Sequence, residues 1–172
     1  MRFGLHALAS ALVLAGCTIP VNTTPAPATS STAPAPGTLG ATESRIFRLV
    51  NGERRRQGLP NLVYNAQLDR MAKIQAENMA RFQKMAHVLP ESTLPTLTDR
   101  AHASGYQYAR LAENVALGYP NAATVVDGWM ASKGHRANIL RRDVEETGIA
   151  IARSSAGGLY YCQVFGRRMV AF

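Results

Sequence analysis

The chain reads as an α+β protein of stacked layers, and three observations carry that reading. Between Thr42 and Leu140 apolar residues recur at three- and four-residue spacing, while the last stretch alternates in strand fashion. A charge-free run rich in Pro, Thr, Ala and Ser separates both from the N-terminus. Helices first and an antiparallel sheet last predict helical layers on a small antiparallel sheet. The stretch from Thr42 to Phe172 has room for one domain with one core.

Each element has its own signals. Thr42-Glu43-Ser44 opens a first helix, whose Ile46, Leu49 and Val50 share a face before Gly58-Leu59-Pro60 stops it. Asn65 caps the second, where Leu68, Ala72, Gln75, Ala76, Met79 and Ala80 form one face and Glu77, Arg81 and Lys84 are left for solvent. The small residues on that face predict close packing against another layer. Thr98 to Ser104 is a short third helix ending at Gly105, and a short strand is expected at Glu113-Asn114-Val115-Ala116. Asn121 caps a helix that buries Val125, Val126 and Trp129, and Ser132 caps the next turn, from Lys133 to Leu140. Three β-like segments follow, Thr147 to Ala152, Leu159 to Phe165 and Met169 to Phe172, the first two joined by a turn at Ser154 to Gly158.

The N-terminus predicts an address. Residues 1–16 form a minimal basic start and an apolar stretch too short to span a bilayer, ending in Leu14-Ala15-Gly16 before Cys17. This is the layout of a bacterial lipoprotein signal, with Cys17 lipidated as the mature N-terminus. An ordinary signal peptide cut nearby, or a buried helix with a chance cysteine, are the plainer alternatives. Residues 17–41 then form a tether that buries too little surface to offset its ordering entropy. The expectation is an exported protein held to the cell membrane through Cys17, in the outer membrane if the host is Gram-negative, with the domain at 42–172.

Charge and cysteine count narrow the partners. The formal net charge is +8, carried mostly by arginine, since Lys73, Lys84 and Lys133 are the only lysines. An exported basic protein meets anionic lipid headgroups or wall polymers rather than nucleic acid. The runs Arg54-Arg55-Arg56 and Arg141-Arg142 lack interleaved aromatics and read as solvated helix faces. With Cys17 lipidated, Cys162 has no disulfide partner; it alternates with Tyr161 and Gln163 and reads as a small buried residue.

Three residues carry candidate chemistry. His87 sits just past the second helix, Glu113 interrupts an apolar strand, and His135 stands on the first turn of a short helix. A carboxylate in an apolar strand is costly unless it is paired or faces a cleft. Two imidazoles and a carboxylate can hold Zn2+ or another divalent cation and activate a water. A hydrogen-bonded His–Glu pair that locks loops together explains the same residues without chemistry. Asn138 either fixes its own helix through the backbone or hydrogen-bonds in the cleft. His102, among Asp99, Arg100 and Ala101, belongs to a solvated helix, and Trp129 reads as core. Neither Ser104 nor Ser132 lies in a Gly-x-Ser-x-Gly turn.

Read together, several segments resemble the CAP superfamily of cysteine-rich secretory, antigen five and plant pathogenesis-related proteins, and most of all its bacterial extracellular branch. The resemblance runs from Val50-Asn51 and Gly58-Leu59-Pro60 through Met85-Ala86-His87 and Ala112-Glu113-Asn114-Val115-Ala116. Its most specific part is Trp129 followed by Ser132-Lys133-Gly134-His135-Arg136-Ala137-Asn138-Ile139-Leu140, with Gly148-Ile149-Ala150 and Tyr160 to Gly166 completing it. It implies a three-layer α-β-α sandwich. It also implies a cleft of two histidines and two acids, in which His87 and Glu113 match the first of each. The second acid falls near Ser132 and the second histidine near Tyr160, so this chain departs from the pattern at both. His135 then supplies an imidazole from another backbone position, and Tyr160 a phenol.

Enzymatic activity is not general in that family, so the leading expectation is a binding module for a lipid-like or envelope ligand, its cleft lined by His87, Glu113, His135, Asn138 and Tyr160. The competing expectation is a metal-assisted hydrolase of peptide or envelope polymer that uses His87, Glu113 and His135. A third is a scaffold acting through its basic surface at Arg54 to Arg56.

Overall fold

A computed structural model describes residues 39–170; Cys17, most of the tether and the last two residues lie outside that range. The elements run α1 (Ala41–Arg56), β1 (Val63–Tyr64), α2 (Ala66–Phe82), α3 (Leu97–Ser104), β2 (Tyr108–Leu117), α4 (Ala122–Ala131), α5 (Lys133–Ile139), β3 (Glu146–Arg153) and β4 (Leu159–Arg168). Helix ends follow local chemistry. The Asn65 side chain accepts the amides of Gln67 and Leu68 at the start of α2, and Asn121 does the same for Ala123 and Thr124 at the start of α4. Thr96 and Asp99 close a capping box on α3, and Gly105 ends it at φ 68°. Ser132, expected to cap α5, makes no side-chain cap hydrogen bond.

The four strands lie in the order β1-β3-β4-β2. The expected antiparallel core is present as β3-β4 and β4-β2, but β1 pairs parallel to β3, so the sheet is mixed. Two residues of β1 are too few to show a period, and tertiary pairing alone makes them a strand. β2 is ten residues long rather than four. Met169 to Phe172, expected as a third strand, is instead preceded by a β4 that runs on to Arg168, and Val170 is outside any strand.

Each face of the sheet carries a core, which makes three layers. One core joins α1, α4 and α5 to the sheet through Ile46, Val50, Trp129, Ile139, Ala112, Ala116, Tyr161 and Phe165. The other joins α2 and α3 to it through Leu68, Ala76, Met79, Ala101, Val115, Cys162 and Val164. Strand alternation therefore sends Glu113 and Val115 toward α2, and Asn114 and Ala116 toward α4 and α5. At Gly148, on β3, a Cβ would overlap the backbone of Leu68 and Asp69, so α2 rests directly on the strand.

Two arginines read as solvated are buried. Arg54 is fully buried and donates to the carbonyls of Pro60, Ile139 and Arg141 at 2.9, 2.7 and 2.9 Å, tying α1 to the end of α5. Its neighbours Arg55 and Arg56 are exposed as expected. Arg100 is also fully buried, whereas His102 beside it is exposed as expected.

Candidate functional site

His87, Glu113 and Arg100 form one connected group. Glu113 Oε1 lies 2.9 Å from His87 Nδ1, and Glu113 Oε2 accepts from Arg100 Nη2 at 2.6 Å. Arg100 Nη1 donates to Gln75 Oε1 at 2.5 Å, and Gln75 Nε2 donates to the carbonyl of Ala86 at 2.5 Å. The circuit thus closes on the backbone next to His87 and ties α2, α3, β2 and the loop after α2 together. Cys162 Sγ sits 3.5 Å from Glu113 Oε2, completing the floor.

Exposure separates the members sharply. The side chains of Glu113 and Arg100 are 3% and 0% exposed, while that of His87 is 56% exposed. A buried carboxylate and guanidinium thus support one imbedded edge of an imidazole whose Nε2 remains available. The hydrogen bond from Glu113 raises the His87 pKa above its ordinary value, and the carboxylate charge adds to this; burial and Arg100 oppose it. Burial pushes the Cys162 thiol up, which leaves it a neutral packing group, as expected.

His135 reaches the site from the other side of β2. Asn114 Nδ2 donates to the His135 carbonyl at 3.1 Å, and Asn138 Nδ2 donates to the Glu113 carbonyl at 3.1 Å and to Asn114 Oδ1 at 2.9 Å. This clamp docks α5, and with it His135, against the strand that carries Glu113. The His135 ring is partly buried and makes no hydrogen bond to Glu113; burial lowers its pKa, and the nearby His87 lowers it further. Trp129 Nε1 donates to the Val115 carbonyl at 3.3 Å, so side chains blunt the outer edge of β2 as well.

Of the expected cleft residues, His87, Glu113 and Asn138 are brought into direct contact, and His135 lies within electrostatic range of His87. Tyr160 is not joined to them. It is buried in the α2-side core, four residues along β4 from Val164, which pairs with Glu113, or roughly 13 Å away at strand rise. Sequence reasoning missed Arg100, Gln75 and Asn114. The available signal was a polar residue on an apolar surface, Gln75 on the inner face of α2 and Asn114 in the strand beside Glu113.

Glu113, one of the three expected metal ligands, is fully engaged by protein partners. Among the described residues no three His, Cys, Asp or Glu side chains converge as metal ligands. Both oxygens of Glu113 are engaged, one of them by a permanent guanidinium charge, whereas His87 uses Nδ1 on that carboxylate and keeps Nε2 open. Of the expected set, Glu113 is bound to Arg100, and the imidazoles of His87 and His135 are the groups left to meet a ligand.

Comparison with known proteins places this architecture. The model of the cysteine-rich secretory protein family, CAP, matches residues 47–165. Among curated proteins, YkwD of Bacillus subtilis is 31% identical over 139 residues, covering 81% of this chain and 52% of the relative. The membrane protein YlbC of the same organism is 29% identical over 126 residues, covering 73% and 34%. The chain thus spans about half or less of these relatives' length. An extracellular SCP-domain protein of Bacillus anthracis superposes with a TM-score of 0.68 at 28% identity, covering 74% of this chain and 40% of that one. An outer surface protein of Borrelia burgdorferi gives 0.67 at 20% identity, covering 77% and 99%. With the family model spanning most of the described domain and the sheet and helices stacked as in these structures, the chain belongs to the cysteine-rich secretory protein (CAP) family.

Proposed function

We propose that this chain is an exported, lipid-anchored binding module of the cell envelope, which takes a lipid-like or envelope ligand at the cleft of His87, Glu113 and His135. The observation that carries the reading is a half-exposed imidazole held rigidly by a buried carboxylate–guanidinium pair. Such an arrangement presents a fixed hydrogen-bonding group without a free base behind it, because Glu113 already accepts from His87, Arg100 and Cys162. The exposed apolar side chains of Met85 and Val88 flank His87 in sequence and suit a partly apolar ligand.

Export is supported by the Leu14-Ala15-Gly16-Cys17 motif and by the extracellular and surface origins of the structural relatives. We assign the membrane attachment to a lipid on Cys17 from that motif alone; among the described residues no helix is long and apolar enough to cross a membrane.

The test is recovery of bound envelope components from the full chain and from His87→Ala, identified by mass spectrometry, with membrane fractionation of Cys17→Ala alongside. A component retained by the parent and lost from His87→Ala supports the module, as does release of Cys17→Ala from membranes. Breakdown of an envelope polymer by the parent but not by His87→Ala would replace it with the hydrolase.

A further inference from the structure

We infer that the outer face of α1 docks on an anionic phospholipid membrane, so that the domain lies against the bilayer to which its own N-terminus leads. The choice of a membrane rests on the reading of Cys17 as lipidated; the charge of the face does not. At 3.6 residues per turn, Arg45, Arg48, Arg55 and Arg56 fall on one side of α1, opposite the buried Ile46, Val50, Asn51 and Arg54. All four are exposed. From Arg45 to Arg55 the row runs roughly 15 Å along the helix axis.

The row keeps its charge. Among the described residues Arg45, Arg48 and Arg55 enter no ion pair, and only Arg56 is matched, by Glu53. Arg55 is bound to the neutral side chain of Asn61. Glu43, the other acid of the helix, is half-buried and turned back toward Gly40. Where α1 begins, Arg153 joins Arg45 on the wall of one hollow of about 520 Å³, and it too forms no ion pair among the described residues. The opposite layer is different. With the buried Arg54 and Arg100 set aside, the helices α1, α4 and α5 carry six basic side chains against three acidic ones, whereas α2 and α3 carry three against three. One side of the sandwich thus presents a positive field and the other does not. Residues 17–40 are all that separates Cys17 from this helix, so a lipid on Cys17 holds the start of α1 within that length of the bilayer. Docked on α1, the domain keeps α2, and His87 with the Glu113 that holds it, on the side of the sheet away from lipid.

The test is vesicle co-sedimentation of the full chain carrying Cys17→Ser, which cannot be lipidated. Vesicles of phosphatidylglycerol in phosphatidylcholine are compared with phosphatidylcholine alone, at low and at raised salt. Each arginine at an anionic surface strengthens binding by about fivefold. Arg45→Gln/Arg48→Gln/Arg55→Gln is therefore expected to weaken binding to the anionic vesicles by about a hundredfold, and Arg45→Lys/Arg48→Lys/Arg55→Lys to retain it. Arg70→Gln/Lys73→Gln/Arg81→Gln removes the same charge from α2 and should stay within about fivefold of the parent. Raised salt should weaken the parent and spare the α1 glutamine triple. All variants share one N-terminus, so any contribution from residues 1–16 is common to them.

Equal losses from the α1 and α2 glutamine triples overturn the inference, since net charge and not one face would then bind. Equal binding of the parent to both kinds of vesicle overturns it as well. So does capture of a soluble glycerol-phosphate polymer through Arg45, Arg48 and Arg55 with the vesicles inert, which would make the face a wall-polymer site. Membrane fractionation of the parent chain beside Cys17→Ala tests the anchor separately. Anionic vesicles bound through α1, with fractionation indifferent to Cys17, would overturn the lipid anchor and support the docking face.

Discussion

Arg100 Nη2 and Glu113 Oε2 meet at 2.6 Å with both side chains withdrawn from solvent. A buried ion pair of this kind adds little net stability, because desolvation offsets the attraction, yet breaking it leaves a lone buried charge. Arg100→Met should therefore cost about 3–5 kcal/mol, whereas Arg100→Met/Glu113→Leu should recover much of that loss. Urea unfolding of the two single variants and the double checks this. Additive single-variant losses would show that the two side chains act independently.

The two cleft histidines should titrate on opposite sides of the ordinary imidazole value. His87 is raised mainly by its hydrogen bond to Glu113, and His135 is lowered mainly by burial. The signs fix the stability windows. The His87 contribution is complete below the unfolded-state pKa and is lost as pH rises through the raised folded value. The His135 contribution has the opposite sense: the folded state disfavours its charged form, so stability falls as pH drops through the lowered value. His87→Gln removes the like charge beside His135 and should move the His135 pKa upward. NMR titration of the ring protons reads both values, and an unmoved His135 would show that burial alone sets it.

Asn138 holds the docking of α5 through a single amide nitrogen that serves Glu113 O and Asn114 Oδ1. Asn138→Ala leaves a buried amide of Asn114 without one partner, at a cost of about 1–3 kcal/mol. Asn138→Asp should be as harmful, since a carboxylate cannot donate to either oxygen. Because Asn114 also holds the carbonyl of His135, the expected companion effect is a rise of the His135 pKa toward its ordinary value as the ring becomes wetter. Thermal unfolding and the same NMR titration measure the two effects together.

The sequence showed the layers and most helix ends because those depend on local period and caps: Asn65, Asn121 and the Leu68-to-Ala80 face all behave as their spacing demands. It also showed His87 and Glu113, because a histidine in a loop and a charge in an apolar strand each stand out from their surroundings. It did not show Arg100 or Arg54. A buried arginine has the same local signature as a surface one, and only partners from distant segments decide which it is. Arg54 finds carbonyls 85 and 87 residues away, and Arg100 finds Gln75 and Glu113 on two other elements. The parallel strand β1 was hidden for the same reason, since its partner Glu146–Thr147 lies far along the chain.

Gly148 links packing to the site. A side chain there would meet the backbone of Leu68 and Asp69, which cannot swing aside as a side chain can. At Gly128 the neighbour is instead the ring of Tyr119, and at Gly166 that of Tyr106. Gly148→Ala should thus destabilise by about 1–3 kcal/mol or more by overpacking, and Gly128→Ala by less. The effect should also reach the cleft. α2 is one rigid helix, and Gln75 lies six residues beyond Asp69, roughly 9 Å along its axis. Lifting α2 from β3 stretches the bonds from Gln75 to Arg100 and to the Ala86 carbonyl, and so loosens His87 from Glu113. The folded fraction of Gly148→Ala should then show a His87 pKa lower than the parent's, while Gly128→Ala, on the opposite face of the sheet, leaves it in place. Equal His87 values in the parent and Gly148→Ala would show that the circuit through Gln75 does not transmit the displacement.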